Sequence, residues 1–215
     1  MWIKICGVRD VETARAAAES GANAIGLNFY ANSPRQVDER TAAAIVKVLP
    51  EDVAAVGVFV NHTAAQIRQI CESCGIRTAQ LHGDEPVSVM GELKGIQIIR
   101  ALRTTGDITA LATSELAAYA VHEESPWAWL VDARVPHVYG GSGETVDWES
   151  LAAVPRTPDW PPLILAGGLT PENVAQAVRI VRPWGVDVAG GVESAPGVKN
   201  PTLVRQFVRR IRDAS

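Results

Sequence analysis

The chain has 215 residues, of which 47% are hydrophobic and 20% charged, with a formal net charge of -4 and a pI near 5.6. This balance supports a sizeable core and argues against a nucleic-acid binder, which usually has a basic surface. No apolar run approaches the roughly 20 residues that span a bilayer. A strand pattern begins at once at Trp2, where a signal peptide would have its apolar segment. The three cysteines lack the regular spacing of a disulfide framework. We therefore expect a cytoplasmic protein without a signal peptide that binds neither nucleic acid nor membrane.

Eight short apolar or β-branched runs, each ending in small or polar residues, alternate with segments of helical periodicity. The runs cover residues 4–7, 26–29, 58–61, 80–83, 100–103, 130–133, 165–168 and 188–191. Because the runs are continuous rather than alternating, we expect strands covered on both faces and hence a parallel sheet. Eight strand–helix alternations favour an α/β fold closed into a (β/α)8 TIM barrel. Since no linker or charge block divides the chain, residues 1–215 are predicted to form one catalytic barrel domain.

The helices carry sequence signals for their ends and for their buried faces. Asp10 is expected to cap the first helix, while Thr170-Pro171 and Asn200-Pro201 each place a capping side chain before a proline at the first helical position. Gly21 and Gly75 stand where helices should stop. Two helical faces are predicted to be buried, one made of Val174, Ala177, Val178 and Val181 and the other of Leu203, Val204, Phe207, Val208 and Ile211.

Polar and nucleophilic side chains at the C-terminal strand ends are the candidate catalytic residues, because such a barrel places its chemistry there. Cys6 follows strand one and Asp132 follows strand six, so the two can flank a ligand from opposite sides, as a base and an acid require. A thiol becomes a plausible base when N–H groups or a cation lower its pKa. The other candidates are Arg35 in the loop after strand two, His82 after strand four, and Arg100 and Arg103 on and after strand five.

Two glycine pairs near the C-terminal end predict a phosphate site. Gly167-Gly168 ends one apolar run and Gly190-Gly191 ends the next, and each pair leads into a helix start, near Thr170-Pro171 and near Val192-Glu193. Glycines leave consecutive backbone N–H groups open to a ligand, and a helix N-terminus favours an anion. Because strands seven and eight of such barrels often share one phosphate cup, we expect a phosphorylated small molecule as the ligand.

Seven segments, in their order along the chain, resemble the phosphoribosylanthranilate isomerase family of tryptophan biosynthesis. The segments are Lys4-Ile5-Cys6-Gly7 with Asp10, Gly57-Val58-Phe59-Val60-Asn61, Gln80-Leu81-His82-Gly83, Leu130-Val131-Asp132, Tyr139-Gly140-Gly141-Ser142-Gly143, Leu165-Ala166-Gly167-Gly168-Leu169-Thr170-Pro171-Glu172-Asn173-Val174, and Val186-Asp187-Val188 through Gly197. Each motif alone is weak, but their combination is highly specific.

The resemblance implies a barrel enzyme without a redox cofactor or a metal. It implies the Amadori rearrangement of N-(5-phosphoribosyl)anthranilate, an aminoaldose, to 1-(2-carboxyphenylamino)-1-deoxyribulose 5-phosphate. In that family Cys6 corresponds to the general base, Asp132 to the general acid, and Arg35 to the arginine that binds the anthranilate carboxylate. Ala189 stands where many members have serine, which removes a hydroxyl contact to the phosphate and leaves the backbone donors of Gly190-Gly191.

Two other functions stay open on the residues alone. An aldose–ketose isomerase of histidine biosynthesis performs similar chemistry, but it is expected to use paired aspartates, and Cys6 speaks against it. A non-catalytic module for phosphorylated metabolites is the second alternative, although both proton-transfer candidates are in place. His82 is balanced between a packing role and a ligand-facing one, and the sequence is compatible with a monomer or a homodimer.

Two further segments predict structure rather than chemistry. Cys71-x-x-Cys74 continues the apolar stripe of Ile67 and Ile70 on a helix, and no second Cys pair or His cluster in the sequence completes a metal site, which favours core packing. Gly140-Gly141-Ser142-Gly143-Glu144 lacks both the ending of a P-loop and the pattern of a nucleophile elbow. We interpret it as a mobile loop that closes over the site.

Overall fold

In a computed structural model of the chain, eight parallel strands pair in chain order and close into a barrel. The structure describes residues 1–104, 108–122, 124–133 and 146–214. The barrel strands are β1 Trp2–Cys6, β2 Ala24–Asn28, β3 Ala54–Phe59, β4 Thr78–Leu81, β5 Gln97–Thr104, β6 Ala128–Ala133, β7 Leu163–Leu165 and β8 Gly185–Val188. A hairpin of β9 Glu193–Ala195 and β10 Val198–Lys199 follows the barrel strands.

Helices follow the barrel strands along the outside of the sheet. Within the described residues they are α1 Val11–Glu19, α2 Glu39–Val46, α3 Ala64–Cys74, α4 Ser88–Glu92, α5 Ile108–His122, α6 Trp148–Ala153, α7 Val174–Val181 and α8 Pro201–Arg212. The parallel (β/α)8 barrel expected from the sequence is thereby confirmed. The closing loop predicted at 140–144 lies outside the described residues. No helix in the described ranges is long and apolar enough to cross a membrane.

The predicted strand windows mark the C-terminal parts of the first six strands. For the last two strands the windows are wrong, since 165–168 and 188–191 each overlap the observed strand by a single residue. The apolar pattern continues past the end of each strand, so it conceals the boundary. Both glycine pairs therefore lie in the loops after β7 and β8, at the barrel end where ligands bind in this fold.

Most of the predicted helix ends are confirmed by capping hydrogen bonds. The Asp10 carboxylate accepts from the backbone N–H of Thr13 at 2.7 Å, and Asn200 accepts from Thr202 at 2.9 Å with Pro201 at the first helical position. Gly75 ends α3 in the left-handed conformation, with a φ of 72°, and Gly21, with a φ of 97°, follows the end of α1.

The predicted helix start at Thr170-Pro171 is wrong by three residues. Helix α7 begins at Val174, with Asn173 at the N-cap. The Asn173 side chain accepts from the N–H of Thr170 at 2.8 Å and donates to the carbonyl of Gly168 at 2.9 Å. These hydrogen bonds hold residues 170–173 in a turn, because an asparagine side chain competes effectively for local backbone groups.

The core has two layers, one inside the barrel and one between the barrel and the helices. The inner layer consists mainly of small and β-branched residues: Ala24, Val56, Ile99, Ala101, Ala128, Leu130, Ile164 and Ala166. In the outer layer the predicted face of α7 is fully buried, as is that of α8 except for the half-buried Leu203. Cys71 and Cys74 belong to this outer layer, so the prediction of core packing is confirmed.

Three tryptophans fill the N-terminal end of the barrel. The rings of Trp2 and Trp184 are stacked with centroids 5.4 Å apart, and Trp127 meets both edge-on at 5.9 and 5.2 Å. Trp2 and Trp127 also pack against the inner core layer. The bulk of these rings occupies one end of the barrel, while the open cavity lies at the other.

Candidate active site

A cavity of about 460 Å³ opens at the C-terminal ends of the barrel strands. All eight site residues predicted from the sequence line it: Cys6, Arg35, His82, Asp132, Gly167, Gly168, Gly190 and Gly191. They come from six different strand ends or loops, so only the closed barrel brings them together. Arg100 and Arg103 are not among the lining residues. Arg103 pairs with Asp84, and Arg100 lies 3.6 Å from Glu85 and 3.4 Å from Glu115.

The wall formed by β1 and β8 joins the Cys6 thiol to a buried ion pair. Lys4 is completely buried, and its Nζ lies 2.9 Å from Oδ1 of Asp187. The two residues are direct partners in the β1–β8 register. Lys4 and Cys6 are two residues apart on one strand, so both side chains point into the barrel. Gly26 on β2 provides the space, because a Cβ there would lie 2.8 Å from the Cys6 sulfur.

The charges on this wall act on the thiol in opposite directions. Burial and the Asp187 carboxylate raise the pKa of Cys6, and the Lys4 ammonium limits that rise by favouring the thiolate. Burial alone would lower the pKa of Lys4, but Asp187 and Cys6 outweigh it, so the pKa is raised and Lys4 stays protonated. A cation does lie beside Cys6, but the sequence-based condition that the pKa of the thiol be lowered is not met, because the net pKa is above its ordinary value.

The wall formed by β4 and β6 contains the carboxyl of Asp132 and the imidazole of His82. The Asp132 side chain is nearly buried, and its Oδ2 lies 3.4 Å from Nε2 of His82. On the other side of the ring, Nδ1 is 2.7 Å from the amide nitrogen of Gln80. If that amide donates to Nδ1, the proton of a neutral imidazole resides on Nε2 and faces Asp132. His82 lines the cavity and is also hydrogen-bonded to a neighbouring side chain. It therefore combines features of the ligand-facing role and of the hydrogen-bonded packing role between which the sequence was balanced.

Arg35 is fixed over the loop that follows Cys6. Its stem crosses Gly7, where a Cβ would lie 2.5 Å from the Arg35 Cδ. The hydroxyl of Ser33 accepts from the backbone N–H of Arg35 at 3.1 Å, which orders the loop after β2. Glu193 accepts from both Nε and Nη2 of the guanidinium at 2.8 Å.

The two glycine pairs lie on adjacent loops that touch. A Cβ on Gly191 would lie 1.8 Å from the carbonyl oxygen of Leu169, so only glycine lets the loop after β8 approach the loop after β7. Gly190 and Gly191 begin a short 3-10 turn, Gly190–Val192, in place of the predicted short helix. A Cβ on Gly190 would meet only Nη2 of Arg35, at 3.4 Å. We call the rim formed by these four glycines the glycine cup.

Four charged residues in and around the cavity were not predicted from the sequence as site residues. They are Lys4, Asp187, Glu193 and Lys199, all buried or half-buried. One signal was available for the first two, because each is a lone charge in an otherwise apolar strand. Within 1–104, 108–122, 124–133 and 146–214, no cluster of three or more His, Cys, Asp or Glu side chains could hold a metal ion.

A closed (β/α)8 barrel with a thiol, a carboxyl and a glycine cup at the C-terminal strand ends is the arrangement of a barrel enzyme, since such barrels have their active sites at this end. Residues 3–210 match the family model described as N-(5'phosphoribosyl)anthranilate (PRA) isomerase. The chain belongs to this family, and it is an isomerase. The matching family is therefore not that of the histidine-biosynthesis isomerase, which was one of the alternatives left open by the sequence.

Individual relatives agree with the family model over the whole chain. An N-(5'-phosphoribosyl)anthranilate isomerase from Geobacter metallireducens is 42% identical over 210 residues, which cover 98% of each chain. The phosphoribosyl anthranilate isomerase structure from Thermotoga maritima superposes with a TM-score of 0.87 at 32% identity over 99% of both chains. A second phosphoribosyl anthranilate isomerase structure, solved in complex with reduced 1-(o-carboxyphenylamino)-1-deoxyribulose 5-phosphate, superposes with a TM-score of 0.81 at 29% identity over 99% of both chains.

Proposed function

We propose that this chain converts N-(5-phosphoribosyl)anthranilate to 1-(2-carboxyphenylamino)-1-deoxyribulose 5-phosphate in tryptophan biosynthesis, with Cys6 as general base and Asp132 as general acid. Membership of the isomerase family supports the reaction. The observation that carries the mechanism is that one cavity contains a thiol and a carboxyl on different walls. We further propose that residues 1–215 act as one catalytic domain.

The reaction begins with opening of the furanose ring. Asp132 donates its proton to the ring oxygen while the C1′–O bond breaks, and the anilino nitrogen supplies electrons to form a protonated Schiff base at C1′. The positive charge acidifies the hydrogen on C2′. Cys6, as thiolate, removes that proton to give an enolamine, which tautomerises to the ketone. General acid and base catalysis each contribute about 10²- to 10⁴-fold in such steps.

Lys4 makes the Cys6 part of this mechanism physically reasonable. A buried thiol resists ionisation, and the adjacent ammonium offsets part of that resistance. The Asp187 carboxylate favours the protonated form of Lys4 and balances its positive charge. Lys4 therefore offsets part of the cost of ionising Cys6, while Asp187 holds the lysine in its charged form and itself raises the pKa of the thiol.

The phosphate and the carboxylate of the substrate would bind at opposite ends of the reacting carbons. The glycine cup supplies backbone N–H donors for the phosphate, and Arg35 supplies a guanidinium for the anthranilate carboxylate. Such contacts to non-reacting groups hold the ribose in register with the base and acid.

The activity is tested by mixing the protein with N-(5-phosphoribosyl)anthranilate and following the loss of the substrate's fluorescence. We expect first-order loss whose rate scales with protein concentration and falls by at least about a hundredfold in the Cys6→Ser protein. Fluorescence loss equal to the buffer blank would overturn it, and a non-catalytic phosphate-binding module would then become the better account.

A further inference from the structure

The guanidinium of Arg35 is held by a residue 158 positions away along the chain. Nε donates to Oε1 of Glu193 and Nη2 donates to Oε2, each at 2.8 Å. Only 11% of the Arg35 side chain and 5% of the Glu193 side chain are exposed. Such a two-point contact fixes both the position and the plane of the guanidinium.

Glu193 is itself fixed from the other side by a buried lysine. Lys199 donates to Oε1 of Glu193 at 2.6 Å and to the carbonyl of Ala189 at 3.0 Å. Lys199 and Glu193 are partners in the β9–β10 hairpin, so the fold places them side by side. Burial would raise the pKa of Glu193, but Arg35 and Lys199 lower it below its ordinary value. The carboxylate therefore remains ionised and in place.

The contact with Glu193 uses one edge of the guanidinium and leaves another edge available. A guanidinium presents its five N–H donors in a rigid fork, and a carboxylate can take either the Nε–Nη edge or the edge between the two Nη atoms. Nη1 donates no hydrogen bond to a residue in the described part of the chain. Arg35 lines the cavity, and its Nη2 approaches Gly190 of the glycine cup.

We propose that Glu193 is a positioning residue that holds Arg35 by its Nε edge so that the second edge receives the aromatic carboxylate of the substrate, and that Lys199 anchors Glu193 for this task. The inference rests on the proposed function, in which Arg35 binds that carboxylate. An unrestrained arginine loses freedom of rotation about several side-chain bonds when it binds a ligand, and this loss of entropy weakens binding. An arginine that is already fixed does not have this cost.

This role predicts the opposite sign from simple electrostatics. If Glu193 acted only as a negative charge near Arg35, neutralising it would strengthen binding of an anionic substrate. If Glu193 positions Arg35, neutralising it weakens that binding. The side-chain amide of Glu193→Gln can accept from only one of the two Arg35 donors and directs an N–H at the other, so the two-point contact is broken.

The test compares two ligands that differ only in the carboxylate. One is reduced 1-(o-carboxyphenylamino)-1-deoxyribulose 5-phosphate, and the other is the same compound built from aniline. By calorimetry, Glu193→Gln should raise the Kd of the first ligand about tenfold and that of the second less than about twofold. Kinetically, KM should rise while kcat stays within about threefold, as expected for a contact made equally in the ground and transition states.

Two further variants separate positioning from loss of structure. Lys199→Met removes the anchor without altering Arg35 or Glu193. It should raise the Kd of the carboxylate-bearing ligand about threefold and leave the Kd of the aniline compound nearly unchanged. Val198→Ser changes an exposed residue of the same hairpin, 51% accessible and outside the cavity lining, and should alter neither Kd. Thermal melts identify any variant that fails to fold. If Glu193→Gln fails, Glu193→Ala takes its place, because it also removes the negative charge and the two accepting oxygens.

Arg35→Met distinguishes failure of this proposal from failure of the proposed function. If Arg35→Met weakens only the carboxylate-bearing ligand while Glu193→Gln and Lys199→Met leave it unchanged or tighter, Arg35 binds the carboxylate and the positioning role is overturned. If Arg35→Met weakens both ligands equally, the carboxylate site proposed for Arg35 is wrong, and the role of Glu193 falls with it.

Discussion

The two walls of the cavity differ in how they control a proton. On the β1–β8 wall, Cys6 lies beside the buried ion pair of Lys4 and Asp187. On the β4–β6 wall, Asp132 faces the ring of His82. Burial and charge together set the proton affinity of the thiol, whereas on the second wall a hydrogen bond between Gln80 and His82 orients the imidazole that lies beside the carboxyl. Substitutions on the first wall should move the pH dependence of the reaction, and those on the second should lower its rate at every pH.

The largest effect is expected at the base. Cys6→Ser replaces the thiol with a hydroxyl that ionises far less readily, so kcat should fall by at least about a hundredfold while the reduced product analogue binds normally. Stopped-flow fluorescence and calorimetry measure the two quantities. Cys71→Ala, in helix α3 away from the cavity, is the matched control and should keep its turnover. Near-normal turnover of Cys6→Ser would remove Cys6 from the mechanism.

The acid should give a similar loss without a change of binding. Asp132→Asn keeps the shape of the side chain and can still donate a hydrogen bond to the ring oxygen, but it cannot transfer a proton in the same way. We expect kcat to fall about a hundredfold, at the low end for general acid catalysis. Steady-state rates across neutral pH check this. Rates equal to those of the parent protein throughout that range would show that another group is the acid.

The third substitution, Gly190→Val, lies on the loop after β8 and should weaken binding of the substrate phosphate. Gly190→Val adds bulk where a Cβ has space, so it should obstruct the phosphate while keeping the fold. We expect kcat/KM to fall about thirtyfold, with weaker inhibition by ribose 5-phosphate and an unchanged pH profile. Ala189→Ser, which adds a hydroxyl at the same cup, should lower KM about twofold or leave it unchanged. Undiminished inhibition of Gly190→Val by ribose 5-phosphate would place the phosphate elsewhere.

Lys4→Met tests whether charge governs the β1–β8 wall. The ammonium favours the thiolate, so its removal raises the pKa of Cys6 further. Less thiolate is then present near neutrality, and the acidic limb of the kcat/KM profile should move to higher pH, with a rate about tenfold lower at pH 7. The rate of Cys6 alkylation against pH should shift in the same direction. Because Asp187 is left buried without its partner, a melt must confirm folding. A uniform loss without a pH shift would contradict this assignment.

The smallest effect is expected from the second wall's hydrogen bond. Gln80→Met removes the amide that lies 2.7 Å from Nδ1 of His82 and so releases the orientation of the ring beside Asp132. We expect kcat to fall about threefold with the acidic limb of the profile in its original place. A shift of that limb comparable to the Lys4→Met shift would show that the two walls are not controlled separately.

The sequence was sufficient for features that depend on local pattern. The caps at Asp10 and Asn200 and the placement of Cys6 and Asp132 at strand ends follow from short segments, and the barrel follows from the eightfold repetition of one local strand–helix pattern. The predicted start of α7 failed because hydrogen bonds from the side chains of Asn173 and Thr170 to nearby backbone groups hold residues 170–173 in a turn, and such hydrogen bonds are not apparent from residue types.

Features that depend on register or on distant contacts could not be predicted. The Lys4–Asp187 pair requires knowing which residues of β1 and β8 lie side by side, across the closure of the barrel. The contact between Arg35 and Glu193 requires both the path of the loop after β2 and the hairpin at the end of the barrel. The net rise in the pKa of Cys6 depends on the degree of burial, which a strand pattern does not give.

The most direct test of the proposed mechanism is a crystal structure of this protein with reduced 1-(o-carboxyphenylamino)-1-deoxyribulose 5-phosphate. We expect the phosphate in the glycine cup, within hydrogen-bond reach of the backbone amides of Gly167, Gly168, Gly190 and Gly191. We also expect the Cys6 sulfur beside C2′, Asp132 beside the oxygen that was the ring oxygen, and the aromatic carboxylate on Arg35. A phosphate bound elsewhere in the cavity with an empty glycine cup, or a C2′ out of reach of Cys6, would show that the proposed mechanism is wrong.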